Sequence, residues 1–139
     1  FVDKEGNYIG RHKGIIHYTI GQRRGLGIPA ASRLYVCEIS PKTNTVVLGD
    51  NADLFSSELE ADSVNLISVD SLAEPKRVTA KIRYRHKEQP ATAWQTPDGI
   101  LHVKFDEPQR AITKGQAVVM YDGDEVVGGG VINKIYSQS

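Results

Sequence analysis

The sequence has a single cysteine, one tryptophan and few aromatic residues of any kind, and Lys and Arg are missing from a long central stretch. One cysteine, Cys37, cannot form an internal disulfide, so a reducing compartment, the cytoplasm, is the expected setting. No run of about 18 apolar residues occurs, so no stretch reads as a membrane-spanning helix. The start, FVDKEGNY, lacks the basic-then-apolar pattern of a signal peptide and has no initiator Met. Phe1 reads as the end of a strand leading into a turn at Lys4 to Asn7, and the sequence is expected to be part of a longer chain.

Other absences bear on chemistry. GQRRGLG has glycines but neither the Lys-Ser/Thr pair nor the strand-to-helix setting of a phosphate loop. His12, His17, His86 and His102 lack metal-ligand spacing, and one cysteine cannot supply a thiolate cluster, so no metal site is expected. Asp106 and Glu107 are adjacent carboxylates, but neighbours on an extended chain point apart, and a turn-entry role before Pro108 is expected of them. Cys37 lies in LYVCEI, where alternation puts Tyr35, Cys37 and Ile39 on one face; a thiol there is expected to be a small buried hydrophobe.

Net charge is zero, from 17 basic and 17 acidic residues, so no global field draws in nucleic acid. The charges are segregated. Thr43 to Pro75 holds seven acids and no base, whereas Pro75 to Lys87 holds six bases and no acid. Such blocks either form a basic patch on a neutral molecule or pair with each other across a sheet.

What is present is a turn-rich module from His12 to Ile28, with four glycines and two adjacent arginines. Ile15, Ile16, Tyr18 and Ile20 suit one short helical turn. Gly21, Gly25 and Gly27 then supply backbone freedom, and Gln22, Arg23 and Arg24 stand out between them, an arrangement suited to an anionic ligand. Leu34 to Ile39 and Thr45 to Leu48 read as a hairpin closed by SPKTN. Ser57 to Val64 alternates as a strand with an acidic face, with a helix over Ala52 to Glu60 as the competing reading. The small, polar stretch Ser68 to Pro75 is taken as the boundary between units 1–67 and 68–139.

The second unit reads as all β. Val78, Ala80, Ile82 and Tyr84 alternate with Arg77, Thr79, Lys81, Arg83 and Arg85, giving a core face and a basic face. Hairpins are expected about Pro97-Asp98-Gly99 and Asp122-Gly123-Asp124, with a further short strand at Arg110 to Thr113. Six strands in so short a span favour a closed barrel. Gly128-Gly129-Gly130 inside a strand marks either barrel closure or close approach of a ligand. Trp94 is expected in the core, and Tyr84 is open between core and surface.

YTIGQRRGLGI, KIRYR, FDEPQRAITKGQAVVMYDGD and VVGGGVI together resemble the C-terminal half of bacterial tRNA-specific 2-thiouridylases. In that family an N-terminal domain uses ATP to adenylate the wobble uridine of tRNA, and an enzyme persulfide delivers sulfur to C2. The central and C-terminal parts hold the anticodon arm. The resemblance implies RNA contacts at Arg83, Tyr84 and Arg85, which match the RYR motif, and at Gln116. It makes Gln22, Arg23 and Arg24 part of a loop that closes near the active site. It further implies no catalytic residue and no cofactor in this part, with ATP and the sulfur-carrying cysteines in the N-terminal domain of the parent protein. Its partners would be tRNA, that domain and a sulfur donor. A β-barrel that docks a protein without touching RNA is the alternative.

Overall fold

The computed structural model describes residues 1–27, 34–83 and 85–136. The chain forms two compact units, Phe1–Phe55 and Ser56–Ser139.

In the first unit, β1 (Val2–Asp3), β2 (Tyr35–Ser40) and β3 (Thr45–Gly49) make a sheet of order β1-β3-β2, with the β2–β3 hairpin antiparallel. Its core gathers Phe1, Tyr18, Leu26, Val36, Val46 and Leu48. Tyr18 meets Phe1 edge-on at 5.1 Å and His12 at 5.9 Å between ring centres. The register of β2 slips between Val36 and Glu38, leaving Cys37 as a bulge. That slip interrupts the expected alternation. Val36 is fully buried and Ile39 packs on the same core, while Cys37 is only half-buried.

The second unit is a closed six-stranded barrel. Its strands are β4 (Phe55–Leu66), β5 (Lys76–Lys81), β6 (Gln89–Gln95), β7 (Leu101–Arg110), β8 (Ala117–Asp122) and β9 (Glu125–Ile135), in the order β4-β7-β6-β5-β8-β9. Inward alternation fills it with Leu59 and Ala61 from β4, Val78 and Ala80 from β5, Ala91 and Ala93 from β6, and Val118 and Met120 from β8.

The number of barrel strands matches expectation, but their identity differs. The sixth strand is β4, so the division falls at Phe55/Ser56 rather than at 67/68. Leu59 and Ala61 are fully buried in the barrel, and β4 pairs with β9 from Leu59↔Ile135 to Leu66↔Gly128. Arg110 to Thr113 is not a separate strand. β7 runs through Asp106, Glu107 and Pro108 to Arg110, and Ala111 then takes a left-handed φ of 57° that ends it. Asp106 is therefore a strand residue, not a turn entry.

The three glycines of β9 lie where three strands crowd together. A Cβ on Gly128 would overlap the Asn65 carbonyl oxygen of β4, one on Gly129 the Val118 carbonyl oxygen of β8, and one on Gly130 would come within 2.7 Å of the Asp62 carbonyl oxygen. Of the two readings left open for these glycines, backbone approach at barrel closure is the one observed.

Candidate nucleic-acid interface

On the barrel exterior, β5 and β8 pair antiparallel with Thr79 opposite Tyr121 and Lys81 opposite Val119. Because Val118 and Met120 are buried inside, Ala117, Val119 and Tyr121 face outward beside Lys81. β5 stops at Lys81. Ile82 still packs into the barrel core, and the chain then turns, with the His86 N–H donating to the Arg83 carbonyl at 3.2 Å, so that Arg83, Arg85 and His86 come beside Val119 and Tyr121 of β8. The result is a groove of about 680 Å³ lined by Lys81, Ile82, Arg83, Arg85, His86, Gln116, Ala117, Val119 and Tyr121.

Arg83, Arg85 and Gln116 thus meet at one groove, although Gln116 is far from the arginines in sequence. Tyr84 lies outside the described residues. Gln116 is positioned by its backbone: the Ile132 N–H donates to its carbonyl at 2.9 Å, and the Gly115 N–H donates to the Ile132 carbonyl at 2.8 Å. Its side chain is left exposed at the groove.

The two arginines differ. Arg85 is exposed. Arg83 is partly buried, and its guanidinium donates to the carbonyls of Arg110, at 3.1 Å, and Ala111. Burial lowers its pKa, and the neighbouring Arg110 charge adds to the effect, but a guanidinium stays cationic in any ordinary buffer. Arg83 therefore ties the chain just beyond β5 to the end of β7, and the strand alternation that placed it on an open basic face ends two residues earlier.

At the other end of β5, Arg77 is occupied. Its guanidinium forms two bonds to the Asp106 carboxylate, both 2.7 Å, and a third to the Thr92 hydroxyl at 3.0 Å. The hydrogen bonds raise the Arg77 pKa and hold the Asp106 carboxyl below its usual range. The basic face is thus narrower than alternation implies. Sequence reasoning overlooked His86, Val119 and Tyr121; the outward alternation Ala117, Val119, Tyr121 was the available signal. Trp94, expected in the core, is a half-buried residue on the outside, stacked on His102 at 5.2 Å, while the adjacent Ala93 points inward.

In the first unit the glycine module has the backbone expected of it. Gly21, Gly25 and Gly27 take φ of 89°, 75° and 75°, in the left-handed region. The Gly21 N–H donates to the Val36 carbonyl at 2.7 Å, and the Val36 N–H donates to the Gln22 carbonyl at 2.8 Å. The Gln22 side chain does not reach outward. It accepts from the Thr19 N–H at 3.0 Å and donates to the Arg24 carbonyl at 2.9 Å, stapling the loop. A single 3₁₀ turn, Ile15–His17, precedes it. Arg23 lies 5.9 Å from the centre of the Tyr35 ring, and both Arg23 and Arg24 are exposed.

Among the described residues no group of His, Cys, Asp and Glu is placed to hold a metal, and no helix is long and apolar enough to cross a membrane. Residues 1–50 match the family model described as the tRNA methyl transferase PRC-barrel domain, and residues 56–132 the one described as the aminomethyltransferase beta-barrel domain. The chain is 60% identical over 134 residues to the tRNA-specific 2-thiouridylase MnmA of Clostridioides difficile, covering 96% of this chain and 37% of that protein. It is 57% identical over 132 residues to the protein of the same name from Acetivibrio thermocellus, covering 95% and 37%, and 54% identical, with the same coverage, to that of Clostridium acetobutylicum. It spans a little over a third of the length of these relatives. With both compact units matched, in order, by the two domain models and by these relatives, the chain belongs to the family of the tRNA-specific 2-thiouridylases.

Proposed function

We propose that this chain is the tRNA-holding part of a 2-thiouridylase, a sulfurtransferase that makes 2-thiouridine at the anticodon wobble position by ATP-dependent adenylation and persulfide transfer. The name these relatives share supports the reaction class. The groove that gathers Arg83, Arg85 and Gln116 beside Lys81 and His86 supports the RNA-holding role. Adenylation and sulfur transfer then fall to the ATP-binding domain of the parent protein, in the cytoplasm, and this chain contributes no catalytic group. Cys37 suits that division: its thiol is turned onto the Tyr35 carbonyl at 3.5 Å and lies beneath Gly49.

A tRNA anticodon stem-loop titrated onto the 139-residue chain tests the reading. Binding is expected to weaken with salt, because cation–phosphate contacts release counterions. Arg85→Gln should weaken it for every stem-loop tried and flatten the log-affinity against log-salt slope by about 1. Binding indifferent to both salt and Arg85 would overturn it. The second reading, a barrel that docks a protein such as the sulfur donor, draws on the exposed Val126 and Val131 of β9.

A further inference from the structure

We infer that the groove takes one unstacked nucleotide, its base lying on Tyr121 and Val119 and its phosphate at Arg85 and His86; the inference rests on the RNA-holding reading above. The lining has two chemistries. Ala117, Val119 and Tyr121 form an apolar floor with one aromatic face, half-buried at Val119 and Tyr121. Arg85 and His86 are exposed at the turn that walls it, and the Gln116 amide offers both a donor and an acceptor at the start of β8.

A paired A-form helix would use little of this. It presents phosphates and 2′-hydroxyls and keeps its base faces stacked on one another, so an apolar aromatic floor gains nothing from it. A base splayed from a single-stranded loop exposes two π faces and a hydrogen-bonding edge. Those match a tyrosine ring and a primary amide. A groove of about 680 Å³ has room for one such nucleotide.

The test uses the 139-residue chain, a hairpin RNA with a single-stranded loop and a blunt duplex carrying as many phosphates, with 2-aminopurine placed at each loop position in turn. The loop RNA is expected to bind roughly ten-fold tighter than the duplex, the scale of one base–aromatic stack, and the fluorescence of one loop position should drop on binding. Tyr121→Ala should abolish that drop and cost about ten-fold in affinity with the salt slope unchanged, whereas Tyr121→Phe should retain both. If no loop position changes its fluorescence with the wild-type chain, or Tyr121→Ala binds as wild type does, the nucleotide inference is overturned. The Arg85→Gln salt response would then still support RNA holding. Binding of neither RNA would remove both and leave the barrel to protein docking.

Discussion

Arg83 shows how one side chain can serve two ends. Its guanidinium reaches the carbonyls of Arg110 and Ala111, so it satisfies the backbone where β7 ends while keeping a positive charge at the groove. Arg83→Gln is therefore expected to lower unfolding free energy by about 1 to 3 kcal/mol, the range for a hydrogen-bonded charged group, as read by urea denaturation. Arg85→Gln, an exposed change, should leave stability within about 0.5 kcal/mol of wild type. If Arg83→Gln melts as wild type does, the carbonyl contacts contribute nothing. The difference between these neighbours was not legible in the sequence, since alternation treats them as equivalent. What separates them is the end of β5 at Lys81, which depends on pairing partners elsewhere in the chain.

Among the elements, β9 carries the constraint that closes the barrel. Gly129 sits opposite Val119 on one side and Asn65 on the other, and an added Cβ would strike the Val118 backbone rather than a yielding side chain. Gly129→Ala should cost at least about 1 to 3 kcal/mol, the scale of overpacking, seen as a lower melting temperature. An unchanged melting temperature would mean that the strands separate there without penalty. The hairpins of the barrel were legible because Pro97-Asp98-Gly99 and Asp122-Gly123-Asp124 encode their own turns. β4 was assigned to the wrong unit because its partners, β7 and β9, come much later in sequence, and local alternation says nothing about which sheet a strand joins. Likewise the Cys37 bulge leaves no mark in LYVCEI, yet it lets Val36 and Ile39, on opposite faces of a regular strand, both reach the core.

For the molecule as a whole, equal numbers of acids and bases mean that recognition rests on local arrangement rather than on net field. Asp3, Asp98 and Asp106 are all held below the ordinary carboxylate range, chiefly by hydrogen bonds from Asn7, Thr96 and Arg77 respectively. Their stabilisation is complete above the unfolded carboxylate pKa of about 4 and is lost as pH falls through the lowered folded values. The melting temperature is expected to decline in that acid window, and Asp106→Asn should make the decline shallower. A parallel decline in the variant would exclude the Arg77 pair as a contributor. The glycine module has a further bearing on how copies of the chain behave toward one another. In the three-stranded sheet β2 is a border strand, and the amide and carbonyl of Val36 are taken up by Gln22 and Gly21. Peeling that loop away would bare backbone donors and acceptors able to pair with a second chain, so the same glycines that shape the loop also guard the sheet against aggregation.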